Sequence, residues 1–391
     1  MTRTPLKNDG YLKPEIHYRR LRMQRRDFIS GAIATLCVSR SAFAVAESVI
    51  KPELQRVATS PWLANGVAVT GGGTLFLNFP RFKGHLTSPS LARVTPTGLV
   101  PFPDNHWNKW QPGDEGTDSL VNVNACHHFG DKLVWAVDQG APQGEKPARG
   151  AAKLVAFDID SGKTMKVIRF DEAALPEGGA PNDLRIHGNS AYVTDSGLGG
   201  ILIHDLDTGV TIRRLSGKPL LRKPENIAQK GYHGRILADE MGKRPAVHSD
   251  VIEVSPDGQW FYYATPTGPL YRIRTAFLKD TRLSDEALDR QIEKVADIPS
   301  IGGSAMDAAG NIYISNVEKR SVDQLQHDGT LKTLIKDDRL ITPDALVISE
   351  GWIYVPAPQI EYLADNNQGK DDTHAPWSVY RFPFTPKIRA L

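Results

Sequence analysis

Six times along this chain a small residue, polar in five cases and glycine in the sixth, precedes an aromatic side chain set inside an apolar strand. The interval is ten to thirteen residues each time. The pairs are Asn65/Phe76, Asn122/Trp135, Asn182/Tyr192, Asp250/Tyr262, Gly302/Tyr313 and Asp344/Tyr354. Successive anchors lie roughly 40 to 70 residues apart, the period of four-stranded propeller blades. The pattern predicts an all-β chain folded as a six-bladed β-propeller. In such a wheel the first strand of every blade faces one axis, so equivalent positions form a ring.

Turn chemistry agrees with short strands. Ser255-Pro-Asp-Gly258 predicts a tight turn between the first two strands of blade four, with Pro256 fixing φ and Gly258 free to take a positive one. Gly71-Gly-Gly73 and Ala309-Gly-Asn311 predict the same turn in blades one and five. Leu154-Val-Ala-Phe-Asp-Ile-Asp-Ser-Gly162 and Ile201-Leu-Ile-His-Asp-Leu-Asp-Thr-Gly209 read as third strands of adjacent blades. An open sheet edge invites aggregation, so closure is expected from strands of both termini, Leu54–Val57 and Ser378–Phe382. Helical periodicity is confined to residues 283–296, where Ser284 can cap and Leu288, Ile292 and Val295 share a face. One further helical turn is expected over Glu172–Leu175. Long unpatterned loops cover 102–117, 141–150, 218–244 and 361–374.

Charge changes the picture at one end only. The formal net charge of +2 comes from the first 44 residues, which hold nine Lys/Arg and three Asp/Glu. The remainder carries 38 basic and 42 acidic residues, with no basic stripe. A nucleic-acid partner is therefore not expected. Arg25-Arg26-Asp-Phe28 precedes a short apolar run and Ser41-Ala42-Phe43-Ala44, a twin-arginine-type export signal over 23–44. Residues 1–22 read as a non-native extension before Met23, and 45–391 as the propeller. The run is too short to span a bilayer. A periplasmic or secreted bacterial monomer is expected, free of the membrane once the signal is removed. Cys37 and Cys126 are the two cysteines, so the mature chain would have one and no internal disulfide.

The ring Asn65, Asn122, Asn182, Asp250 and Asp344 is the first candidate site. Asn182 and Asp250 offer the hard oxygen atoms a divalent cation such as Ca²⁺ prefers; the same residue types also satisfy backbone donors at turns. Asp183 and Asp195 flank the first hairpin of blade three and are candidate general bases. His248 stands two residues before Asp250, on the same side of an extended chain, as a second acid–base candidate. Trp107, with Trp110 and Trp135, is a candidate wall for a ligand pocket. In Cys126-His127-His128 strand alternation lets only Cys126 and His128 converge, too few for a zinc site. No nucleophile elbow, His-Glu-x-x-His, Cys-x-x-Cys or phosphate loop occurs.

Phe79-Pro-Arg-Phe82, Leu99-Val-Pro-Phe-Pro-Asp104 and Trp107-Asn108, then Leu133-Val-Trp-Ala-Val-Asp-Gln-Gly140, resemble the first two blades of the yellow / major royal jelly protein family. Pro181-Asn-Asp-Leu184, Ala191-Tyr-Val-Thr-Asp-Ser-Gly197, Leu270-Tyr-Arg-Ile273 and Thr342-Pro-Asp-Ala345 follow in that family's order, over about residues 55–385. The resemblance implies a secreted six-bladed propeller binding small aromatic or amine ligands, with dopachrome conversion in some insect members. Asn182 and Asp250 are also similar to metal positions of the senescence-marker / gluconolactonase propellers. The chain departs from that pattern, with Asn65 in place of a Glu and Gly302 in place of an Asp.

Two functions follow as expectations. One is binding of a small organic ligand at the channel mouth through Asn65, Asn122, Asn182, Trp107 and Asp344. The other is a metal-dependent lactonase or dopachrome-type isomerase, with Asn182 and Asp250 holding the ion and Asp183, Asp195 or His248 moving a proton. A scaffold role in the cell envelope is a third, weaker reading.

Overall fold

Six four-stranded antiparallel sheets repeat one connectivity in the computed structural model, which describes residues 52–385. The innermost strands are Gly66–Val69, Val123–His127, Pro181–His187, Val251–Val254, Ile301–Met306 and Val347–Ser349. Each packs beside the innermost strand of the next blade, and the sixth returns to the first. The expected six-bladed wheel is the observed fold.

Closure joins the two ends of the chain. The outermost strand of blade six, Gln55–Ser60, pairs with Trp377–Pro383, in the register Thr59 opposite Ser378. That pairing covers the outer edge of Trp377–Pro383, the third strand of the C-terminal blade. The turn predictions hold: Gly73, Gly258 and Gly310 all take positive φ, between 69° and 80°.

Six apolar layers, one between each pair of neighbouring blades, make most of the core, with a small further cluster of Leu63, Leu363 and Trp377. Phe76 of blade one and Phe157 of blade two share a layer, as do Tyr192 of blade three and Phe261 of blade four. This explains the recurring aromatic: every second strand must fill the wedge between diverging sheets. Phe76, Trp135, Tyr192, Tyr313 and Tyr354 are buried, and Tyr262 is half-buried.

The helical reading of 283–296 is corrected. Only Asp285–Asp289 is helical, capped by the Ser284 hydroxyl as expected, and Glu293–Ala296 is the outer strand of blade four. Sheet pairing with Leu270–Arg274 overrides the helical period there. A second short helix, Thr275–Lys279, precedes it. Residues 172–175 make one turn, with the Leu175 N–H donating to the Asp171 carbonyl at 2.8 Å. No helix among the described residues is long and apolar enough to cross a membrane. The expected signal and extension lie outside the described residues.

Candidate functional site at the channel

Three innermost strands carry β-bulges, between Val123 and Ala125, Pro181 and Leu184, and Ile301 and Ser304. A bulge frees residues from the ladder and re-aims their side chains. Asn124, Asn182 with Asp183, and Gly302 with Gly303 are thereby turned out of regular pairing around the hub.

Asp250 and Asp344 stand just before their innermost strands, at the same mouth of the channel. Each N–H donates to the second strand of its own blade, Asp250 to Ala264 O at 3.0 Å and Asp344 to Pro356 O at 3.1 Å. Both are half-buried. Burial, reinforced by the Asp183 charge, pushes the Asp250 carboxyl up to about 8; the neighbouring Asn182 side chain opposes the rise. Burial, then Asp250 and Asp183, raise Asp344 well above the carboxylate range, opposed by Asn65. Two acids in one concave mouth, with a third behind them, cannot all ionise cheaply.

Asn65 and Asn182 are the amides of this mouth. The Asn65 Oδ1 accepts from Asn78 Nδ2 at 2.6 Å, and its Nδ2 donates to Asn124 O at 3.0 Å. Its oxygen is thus already engaged, and the amide offers N–H rather than O to its surroundings. Asn124 Nδ2 donates to Asn182 O at 3.2 Å, tying blades one to three together.

Below the mouth an ionic plug spans four blades. Asp183 meets His127 Nε2 through one oxygen and Arg185 Nη1 through the other, at 3.0 Å. Arg185 grips Glu253 with two bonds, and the Ser304 hydroxyl donates to Glu253 Oε1 at 2.7 Å. Burial alone would raise the Asp183 carboxyl, but Arg185 and His127 hold it well below the usual range. His127, Arg185, Glu253, Ser304 and Asn124 were not singled out as channel residues from the sequence.

Several expected site residues take other places. Asn122 is corrected to a structural role: its Oδ1 accepts from Arg81 N at 2.8 Å, and its Nδ2 donates to Gln139 Oε1 and Ala141 O. Asn124, two positions on, is the channel residue of that blade. Trp107 is also corrected. Its short 3₁₀ turn tucks the indole into the layer between blades one and two, against Phe157. Asp195 is sealed, with one oxygen accepting from Ala180 N and Gly197 N and the other paired with Arg213 at 2.7 Å. It holds a loop and has no access to a ligand. His248 lies buried just past the loop 218–244, its Nδ1 accepting from Lys223 N at 3.1 Å. Burial, then Arg222, push its imidazole down. Cys126 faces the core and His127 the channel, the alternation expected of a strand, and His128 Nδ1 lies 2.9 Å from Leu133 O; burial pushes the Cys126 thiol up.

Gly302 is no gap in the ring. A Cβ there would stand 2.3 Å from Pro343 O and 2.8 Å from the Asp344 Cα, so glycine lets blade six bring Asp344 to the hub. Among the described residues no cluster of three or more His, Cys, Asp or Glu is arranged to hold a metal.

The family model for major royal jelly proteins matches residues 123–376. The chain belongs to that family. No curated protein matches it in sequence. Solved propellers share this family member's fold at low identity. A gluconolactonase from Xanthomonas campestris is 14% identical with a TM-score of 0.52, over 85% of this chain and 90% of that one. A calcium-binding protein, regucalcin, from Agrobacterium tumefaciens is 14% identical with a TM-score of 0.50, over 84% and 96%. A luciferin-regenerating enzyme is 9% identical with a TM-score of 0.51, over 85% and 95%.

Proposed function

We propose that this family member is an exported binding protein that holds a small organic amine at the channel mouth, over Asp250 and Asp344. The observation that carries the reading is the excess of acid there. Asp250 and Asp344 have no basic partner within ion-pair distance among the described residues, while Arg185 is committed to Asp183 and Glu253. An ammonium group would draw both carboxyls into their charged form and neutralise them. The export pattern over 23–44 and the family's secreted character support a periplasmic or secreted location. Titration calorimetry with tyramine tests the reading. Saturable binding lost in Asp250→Asn supports it; no heat with tyramine or another primary aryl amine overturns it.

A second reading is a cation-dependent lactonase or isomerase. Asp250, Asp344 and the Asn182 amide oxygen fit a hard cation such as Ca²⁺, with water or substrate completing the six to eight oxygens it takes. When bound, such an ion polarises a carbonyl. The fold likeness to a gluconolactonase and to a calcium-binding protein favours this alternative, although Asn65 turns an N–H rather than an oxygen to the mouth. Asp183 would have to leave both His127 and Arg185 to act as its base. Calcium heat in the same calorimeter, with chelator-sensitive lactone turnover, would replace the first reading by this one.

A further inference from the structure

The repeated strand order runs all six innermost strands in one direction about the axis, so their C-terminal ends define a second mouth. Asp250 and Val254 bracket one such strand, about 13 Å of extended chain. At that far end lies a cavity of about 320 Å³. Its walls include Phe129, Met306, Leu346 and Ile348; its floor is His127, Arg185 and Glu253. The volume is at the lower bound of small-molecule pockets and suits a single ring.

The floor has one open hydrogen-bonding position. All five Arg185 N–H groups are committed, to Asp183, Leu184 O, Glu253 and Ser304 O. Glu253 takes Arg185 on both oxygens and Ser304 on one. The His127 side chain is 10% exposed, and its Nε2 is held by the Asp183 carboxylate. A carboxylate partner takes an N–H from Nε2, and in the neutral ring that leaves Nδ1 as the acceptor. No hydrogen bond reaches Nδ1 among the described residues. Phe129 stacks on the ring at 5.6 Å, so the imidazole is fixed in direction. Arg185 faces two carboxylates, Asp183 and Glu253, and each of their four oxygens already accepts a hydrogen bond, so a cationic guest finds no oxygen without a partner.

We propose that this far mouth is a second, separate ligand site, for a neutral phenol that donates its hydroxyl to His127 Nδ1 and lays its ring against Phe129, Met306 and Ile348. A carboxylate would lack a free donor, and an ammonium would find no free carboxylate oxygen. The site does not depend on what the Asp250 mouth binds.

Calorimetry on the full chain tests it, with p-cresol as the probe and 4-methylanisole as the same ring lacking the donor. Saturable p-cresol binding is expected, at least tenfold tighter than 4-methylanisole. Met306→Trp fills the cavity and is expected to abolish p-cresol binding with an unchanged far-ultraviolet circular dichroism spectrum. Asp250→Asn is expected to leave p-cresol binding within twofold of the parent. Absence of p-cresol binding, equal affinity for the ether, or binding that survives Met306→Trp overturns the proposal. Those results leave the tyramine outcome at the other mouth untouched, so the two readings fail separately.

Discussion

Arg185 Nε donates to Glu253 Oε2 at 3.1 Å while its Nη2 donates to Oε1 at 2.8 Å, a two-pronged bond between blades three and four inside the channel. Glu253 is 5% exposed, so neither partner retains much water. Planar fork-to-fork geometry is what only arginine provides here.

Arg185→Ala would leave Asp183 and Glu253 buried without their cation. The expected loss is about 3–5 kcal/mol of unfolding free energy. Arg185→Lys is expected to recover only a minority of it, because one ammonium cannot serve both carboxylates. Urea unfolding of the three proteins checks this. A loss under about 1 kcal/mol for the alanine variant would mean the plug is solvated.

Gly302→Ala tests how blade six reaches the hub. The added methyl collides with backbone at Pro343 and Asp344, not with a flexible side chain. Overpacking of this kind typically costs about 1–3 kcal/mol. Displacement of Asp344 is also expected to weaken tyramine binding about tenfold, while Gly72→Ala, at the first hairpin turn of blade one with space around it and no positive φ, leaves affinity unchanged. Thermal melts and calorimetry of both variants read the two effects.

The wheel was legible in the chain because each blade needs the same parts. A small residue starts the inner strand, and an aromatic fills the wedge beside it. The mouth was legible in part for the same reason: Asn182, Asp250 and Asp344 sit at strand starts. Asn122 misled because the bulge after Val123 shifts the phase of the strand, so Asn124 faces the channel instead. Trp107 misled because its 3₁₀ turn folds it beneath the sheet. The plug depends on register between blades far apart in sequence. Its trace was there nonetheless: Glu253 interrupts the apolar run Val251-Ile-Glu-Val254, and Asp183 and Arg185 alternate on one face of a central strand. Charges at such positions need partners across a hub.

The raised acids set a sign for pH dependence. Folded Asp250 keeps its proton up to about 8, whereas an unfolded aspartate loses it near 4. Between those limits the folded chain binds more protons, so this group lowers stability as pH rises from about 4 to about 8. Asp344 acts in the same direction. Asp250→Asn removes one such term. Comparing pH 5 with pH 9, the stability difference between variant and parent is expected to move in the variant's favour, by up to about 4 kcal/mol. Denaturant melts at both pH values check it.

The account depends most on the protonation of the two acids at the near mouth. Carbon-13 NMR of aspartate side-chain carboxyls, followed through a pH titration with the Asp250→Asn variant for assignment, reads this directly. The account predicts that the Asp250 resonance titrates with a midpoint near 8 and that saturating tyramine moves that midpoint down. A midpoint below about 5 in the free protein would contradict it.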